Sequence, residues 1–249
     1  MKKVFAMILA VTLTLGCSPF VFAAERDTQD EDYHAAVAKI MTTYQEDPDA
    51  AKAALAELDT VLLEEPIIQG YSGDRAVTRG IDPTDYDLSV YAFKRGGSAI
   101  YYLQWLVKSN RDEWFEATLD YVSLEWNAKM ASYYASNGDG LISTVRDRNT
   151  GIVLFNVQDG DLDKGESTYG TVEVMPSGRG TMEFGSKYVH TYTGVDIGAG
   201  TASYSFSPSA SLSASGEMSL GIAGNYGFSV TVTGRTKKWQ IWADNALYL

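Results

Sequence analysis

Residues 89–107 read SVYAFKRGGSAIYYLQWLV. Two runs rich in β-branched and aromatic residues, Ser89–Phe93 and Ala99–Val107, flank Lys94-Arg95-Gly96-Gly97. That pattern is a β-hairpin signal, with glycines available for positive φ at the turn. The period of two continues downstream. Val122, Leu124 and Trp126 alternate within Asp120–Asn127, and Asn137-Gly138-Asp139-Gly140 marks a turn. Ile142–Val145 and Ile152–Val157 enclose Asp147-Arg148-Asn149-Thr150-Gly151 as a second hairpin. Thr171–Met175 and Lys187–Thr193 follow, separated by a loop with Pro176-Ser177-Gly178. About twelve short strands at this spacing predict a mainly β chain, an antiparallel β-sandwich-like domain over 67–249. Residues 112–119 fit a helical turn as well as a strand, and no repeat of solenoid length is present.

Upstream the period is that of a helix. Tyr33, Ala36, Val37, Ile40, Met41 and Tyr44 form one apolar stripe. Asp47-Pro48 reads as an N-cap followed by proline at the first helical position. Ala54, Leu55, Leu58, Val61 and Leu62 share a side of the next helix, which Glu64-Glu65-Pro66 closes. A two-helix segment over 24–66 is too small to hold a core alone. It is expected either to cap the β domain or to be a removable pro-segment. Residues 25–66 carry twelve acidic and three basic side chains, so this segment holds most of the chain's net charge of −12.

Residues 1–23 read as a signal peptide: Lys2 and Lys3, an apolar run from Val4 to Leu15, and Val21-Phe22-Ala23 at the cleavage point. A second reading rests on Cys17, because Leu13-Thr14-Leu15-Gly16-Cys17 resembles a bacterial lipoprotein box. Thr14 and Leu15 depart from its preferences, and lipidation at Cys17 is the minority alternative. Either way the chain is expected to be secreted or at the cell surface. Strong acidity excludes nucleic acid as a partner. One cysteine and two histidines, His34 and His190, exclude disulfide frameworks and thiolate zinc sites.

Residues 202–233 hold the most regular alternation in the sequence. Even positions from Ala202 to Val232 are apolar, proline or glycine, and every odd position from Ser203 to Ser215 is serine. A period of two puts these sets on opposite faces of a strand. The stretch is too long for one strand and must fold back, near Ser215-Gly216-Glu217. One reading makes it ordinary sandwich strands with a wet serine face. The other makes it an amphipathic hairpin that enters a bilayer, with Tyr204, Phe206, Leu212, Leu220, Tyr226 and Phe228 facing lipid. Its pattern is similar to the Ser/Thr-rich insertion hairpins of secreted β-pore-forming toxins, a resemblance of some 32 residues without a family motif.

Other candidates are sparse. Asp159, Asp161 and Asp163 place oxygen ligands at alternate residues and make a candidate calcium site, with no other cofactor expected. The EF-hand register is broken by Lys164 and Gly170. Asp82, Asp85 and Asp87 form a weaker cluster. Gly70-Tyr71-Ser72-Gly73 lacks the last glycine of a nucleophile elbow, and His190 is the base it would need. Trp105, Trp126, Trp239 and Trp242 are candidate stacking platforms for an extracellular ligand, a glycan or a protein. The expectation is therefore a non-catalytic binding module with no enzymatic activity. The alternatives are a membrane-active pore-forming or bacteriocin-like toxin using 202–233, and a carboxylate-dependent glycan hydrolase.

Overall fold

A computed structural model describes residues 18–68, 70–71, 85–110, 120–139, 143–147, 151–157, 162, 164–193, 201–206, 228–233 and 236–249. Its described helices are α1 (Ser18–Met41) and α2 (Pro48–Glu57). The strands are β1 (Thr60–Ile68), β2 (Gly70–Tyr71), β3 (Tyr86–Arg95), β4 (Tyr101–Ser109), β5 (Asp120–Trp126), β6 (Ala131–Gly138) and β7 (Ser143–Asp147). They continue with β8 (Ile152–Val157), β9 (Ser167–Pro176), β10 (Thr181–Thr193), β11 (Thr201–Phe206), β12 (Phe228–Thr233) and β13 (Thr236–Tyr248).

Two antiparallel sheets make the sandwich. Sheet A has the order β1-β3-β4-β9-β6, and sheet B the order β2-β13-β10-β5-β8-β7. Alternation explains what lies between them. Leu88, Val90, Leu103, Trp105, Val107, Val172 and Val174 from sheet A meet Val122, Leu124, Trp126, Phe155, Phe184 and Ile241 from sheet B. Trp105 fills its place because its cross-strand partner is Gly170, whose missing side chain leaves room for the indole.

Sheet A is apolar on both sides. On its outer face Tyr91, Phe93, Tyr102, Leu106 and Tyr169 form a second core with Tyr33, Val37, Met41, Tyr44, Ala51 and Leu55 of the helical segment. The two cores share no residue. Phe93 and Tyr102 stack at 5.1 Å with planes 10° apart, and Tyr33 meets Tyr102 edge-on. The Asp47 side chain accepts from Ala50 N and caps α2, as the Asp-Pro pair predicts.

The second helix is shorter than its periodicity predicts. It ends at Glu57, and Val61 and Leu62 belong to strand β1. Asp59 adopts φ +54° there, the left-handed turn that ends many helices. The following Thr-Val-Leu-Leu run then pairs with β3. Pro66 is tolerated because β1 is the edge of sheet A and its register shifts between Glu64 and Ile67. A short apolar run fits both periods, and tertiary pairing decided between them. At the other end α1 begins at Ser18, ahead of the cleavage point expected after Ala23. Tyr133 and Tyr134 lie in β6.

Candidate functional site

Of the 202–233 stretch the structure describes its two ends, 201–206 and 228–233. Among the described residues β11 and β12 pair only with each other, as a two-stranded antiparallel ladder. Its register puts like opposite like. Ala202 faces Val232, Tyr204 faces Val230 and Phe206 faces Phe228, while Thr201, Ser203 and Ser205 face Thr233, Thr231 and Ser229. Cross-strand partners share a side of the ladder, so one side is apolar and the other hydroxylated. A slip by one residue would mix the two sets.

In sequence this ladder follows another. β10 and β13 pair over thirteen positions, from Thr181 opposite Tyr248 to Thr193 opposite Thr236, with β10 also bonded to β5. Beyond Thr193 the same two chain segments pair again as β11 and β12. The C-terminal part of the chain is therefore two ladders in series, the first anchored inside sheet B. Residues 201–206 run antiparallel to 228–233, so the chain reverses between them; the fold-back predicted near Ser215-Gly216-Glu217 lies outside the described residues.

Near the end of the anchored ladder sits a buried acid–base cluster. The Asp120 Oδ1 accepts from Thr191 N at 2.8 Å. Its Oδ2 lies 2.9 Å from His190 Nδ1 and also accepts from the Tyr188 hydroxyl. Tyr86 and Trp239 pack on His190, with the indole centroid 4.7 Å from the imidazole. Asp120, Tyr188 and His190 are each at most 2% exposed, so these bonds fasten β5 to β10 inside the core. Of the Ser72–His190 pairing only His190 is described; Ser72 is outside the described residues.

A second polar network lies under the helices. The Tyr91 hydroxyl donates to Gln104 Oε1, and Gln104 Nε2 donates to Thr171 Oγ1 at 2.7 Å. His34 Nε2 of α1 stands 3.3 Å from Glu173 Oε1. His34 Nδ1 is buried with no hydrogen-bond partner among the described residues. Burial pushes the Tyr102 and Tyr169 phenols up to about 12, helped by Glu173 and Asp139 respectively.

The opposite face of sheet B carries a cation. Lys187 lies between Trp242 on β13 and Ser123 on β5, and it is 5% exposed. Loss of hydration lowers its ammonium to about 8; Glu125 opposes the shift and Lys238 adds to it. Nothing in Gly-Ser-Lys-Tyr marks the lysine as buried, so sequence reading has no signal for it.

The candidate sites named from sequence separate clearly. Trp105, Trp126 and Trp239 are core rings, and Trp126 Nε1 donates to Ala131 O at 2.9 Å. As platforms these three are corrected: a ring packed on all sides offers no face to a ligand. Their strand positions put them on the inward period, which the hydrophobic pattern favours. Trp242 is on the outward period and half-buried. Asp159, Asp161, Asp163 and Asp82 lie outside the described residues, as do Leu212, Leu220, Tyr226, Cys17 and the 112–119 segment. Asp87 accepts from the Asn110 amide at 2.8 Å. Among the described residues no group of three or more His, Cys, Asp or Glu is placed to hold a metal ion. No described helix is long and apolar enough to cross a membrane, which leaves strands untouched by that criterion.

No family model matches the chain, and no curated protein is similar to it. Solved structures overlap with parts of it. One is a type I cohesin–dockerin complex from Clostridium thermocellum, at 7% identity and TM-score 0.28, over 36% of this chain and 71% of the other. Another is the cohesin module of a family 33 glycoside hydrolase from Clostridium perfringens, at 14% identity and TM-score 0.29, over 37% and 72%. A third is the collagen-binding domain of a Staphylococcus aureus adhesin, at 7% identity and TM-score 0.27, over 41% and 84%. Overlaps this partial carry no argument about function. The chain's own two sheets make it an antiparallel β-sandwich.

Proposed function

We propose that this chain is an exported, non-catalytic interaction module that works at or beyond the cell surface, with the β11–β12 hairpin as its contact element. The observation that carries this reading is the hairpin's register. It sets apolar residues against apolar and hydroxyl against hydroxyl in a ladder that belongs to neither sandwich sheet. Among the described residues the ladder is a sheet of its own, which leaves its apolar set free for a partner in this reading. The acid–base group nearest to catalytic form, Asp120 with His190, is committed to holding β5 against β10, which also favours binding over chemistry. Export is supported by the signal-like residues 1–23.

The test compares the full chain with one in which residues 201–233 are replaced by Asn-Gly. Both are sedimented with insoluble peptidoglycan, with chitin and with phosphatidylcholine vesicles, and both are melted by far-UV circular dichroism. The full chain should sediment with at least one probe. The shortened chain should stay in solution and melt within a few degrees of the full one. Equal sedimentation of the two chains, or none by either, refutes the contact role of the hairpin.

A further inference from the structure

We infer that the outer face of sheet A is a second binding face, for a neutral, extended oligosaccharide, and that α1 and α2 form a lid over it. This face is independent of the contact role of the hairpin.

The register of sheet A lays the face out as a grid. Cross-strand partners share a side, so Tyr91, Gln104, Thr171 and Asn137 form one row across β3, β4, β9 and β6. The row is linked by its own hydrogen bonds. The Tyr91 hydroxyl donates to Gln104 Oε1, and Gln104 Nε2 donates to Thr171 Oγ1 at 2.7 Å. On one side of it runs the row Phe93, Tyr102 and Glu173, and on the other the row Ser89, Leu106 and Tyr169. A line of amide and hydroxyl groups between aromatic rings suits a sugar chain, whose hydroxyls pair with the line while its C–H faces lie on the rings. Strands stand ~4.8 Å apart, close to the advance of one pyranose in an extended chain, so one strand serves one sugar.

The helices serve the polar part of this face poorly. Among the described residues they reach the row through one long bond, from Gln104 Nε2 to His34 O at 3.4 Å. His34 Nε2 stands 3.3 Å from Glu173 Oε1, and His34 Nδ1 is buried without a hydrogen bond. A face made only to seat a helix would be apolar here and avoid that cost. The His34 and Tyr33 rings rest on Tyr102, with centroids 5.3 and 5.9 Å away. They occupy the place where sugar rings would lie.

Charge loosens the seam and sets the ligand. Beyond lost hydration, ionisation of Tyr102 is opposed by Glu173 of the face and Asp30 of the lid. Ionisation of Tyr169 is likewise opposed by Asp139 next to β6 and by Glu31 and Asp32 of the lid. Carboxylates thus crowd the seam from both sides. A uronic or sulfated sugar would add to them, so the ligand is neutral.

The lid can lift without disturbing the sandwich. Phe93, Tyr102 and Tyr169 belong to the core shared with the helices, which has no residue in common with the core holding Trp105, Trp126 and Trp239. Asp59 stays with sheet A, because Gly96 N donates to Asp59 O at 2.7 Å. The pivot is therefore Leu58, where α2 has ended. At the C-terminal end of α1 the cover is already incomplete. A cavity of about 60 Å³ there is lined by Met41, Ser89, Leu106 and Lys108 together with the exposed Gln45 and Glu46.

The experiment titrates the full chain calorimetrically with cellohexaose, xylohexaose and chitohexaose, and with polygalacturonate as the acidic comparison. Hydrogen exchange over residues 30–57 is followed with and without each sugar. At least one neutral hexasaccharide should bind, and polygalacturonate should not. Binding should speed exchange of the helix amides roughly tenfold or more, because the sugar takes the place of the lid, and leave β5 and β10 unchanged. Leu55→Ala loosens α2 and should tighten the apparent affinity about tenfold, since a larger share of molecules is open. Thr171→Val removes a hydroxyl from the row at constant shape and should weaken binding about tenfold. Replacing 201–233 by Asn-Gly should leave sugar binding unchanged, so the two faces are judged separately. Melting curves identify any variant that fails to fold, and the exchange measurement needs no variant. Failure of both the wild type and Leu55→Ala to bind any of the three hexasaccharides overturns the inference. So does binding that slows helix exchange or leaves it unchanged, binding that survives Thr171→Val, or binding that is lost with 201–233.

Discussion

Lys187 offers a test in which the sign and the size both follow from burial. Its ammonium is lowered to about 8 from an ordinary 10.5, with lost hydration as the main cause. A group whose pKa is lower in the folded chain is protonated more fully in the unfolded one between those two values. Stability must therefore rise as pH climbs through the window from about 8 to 10.5, and rest on its lower plateau below 8. The gap of 2.5 between these two values corresponds to ~3 kcal/mol across the whole window. Of this, ~2 kcal/mol should be recovered by pH 10. The buried phenols of Tyr102 and Tyr169 act in the other direction. Raised to about 12, they let the unfolded chain ionise first, so stability is lost above pH 10. Lys187→Met removes the lysine contribution and keeps the tyrosines. Guanidinium unfolding followed by Trp fluorescence at pH 7, 8, 9 and 10 then gives the difference between the two proteins. The wild type should gain ~2 kcal/mol on the variant between pH 7 and 10. Parallel curves within ~0.5 kcal/mol would refute the claim that this ammonium is held out of water.

Four further outcomes follow from packing. Gly170→Ala places a Cβ 2.4 Å from Trp105 Nε1 and should cost ~1–3 kcal/mol, read as a lowered denaturant midpoint. Leu55→Ala empties a side chain that is 1% exposed between α2 and sheet A; a loss of ~2–5 kcal/mol is expected from thermal or chemical unfolding. Asp120→Asn sets an amide against the Tyr188 hydroxyl, His190 and Thr191 N, and should destabilise by ~1–3 kcal/mol, checked by the melting temperature. Asp59→Gly relieves a positive φ at the end of α2 and should raise stability by up to ~1 kcal/mol, read as a raised denaturant midpoint.

The sandwich was legible because both of its faces obey a period of two, and Gly97 and Gly151 turn with the positive φ that their hairpins require. Harder to read was the second face of sheet A. Tyr91, Phe93, Tyr102 and Leu106 sit on the alternate positions of strands already apolar on the first side, so β3 and β4 look like continuous hydrophobic runs. Only the helices explain them. The tryptophans show the limit from the other direction: Trp239 and Trp242 differ by three positions and point to opposite sides, yet composition treats them alike. The like-on-like pairing of the hairpin was foreseeable from alternation plus one bend. That its described strands form a sheet of their own was not, since periodicity carries no information about which strand becomes a neighbour.

The helical segment has a temporal consequence. Its residues are the first of the described chain to be made, and their packing partners come much later: His34 meets Glu173 across 139 positions, and Tyr169 belongs to the same late strand. Until β9 has been synthesised, the apolar stripe of α1 and α2 has no complete surface to rest on. A stretch with twelve carboxylates among residues 25–66 can wait in water without aggregating, because self-repulsion keeps nascent copies apart. The acidity that marks this segment thus suits a delay built into the order of the chain, with the helices settling only after the sheet beneath them exists.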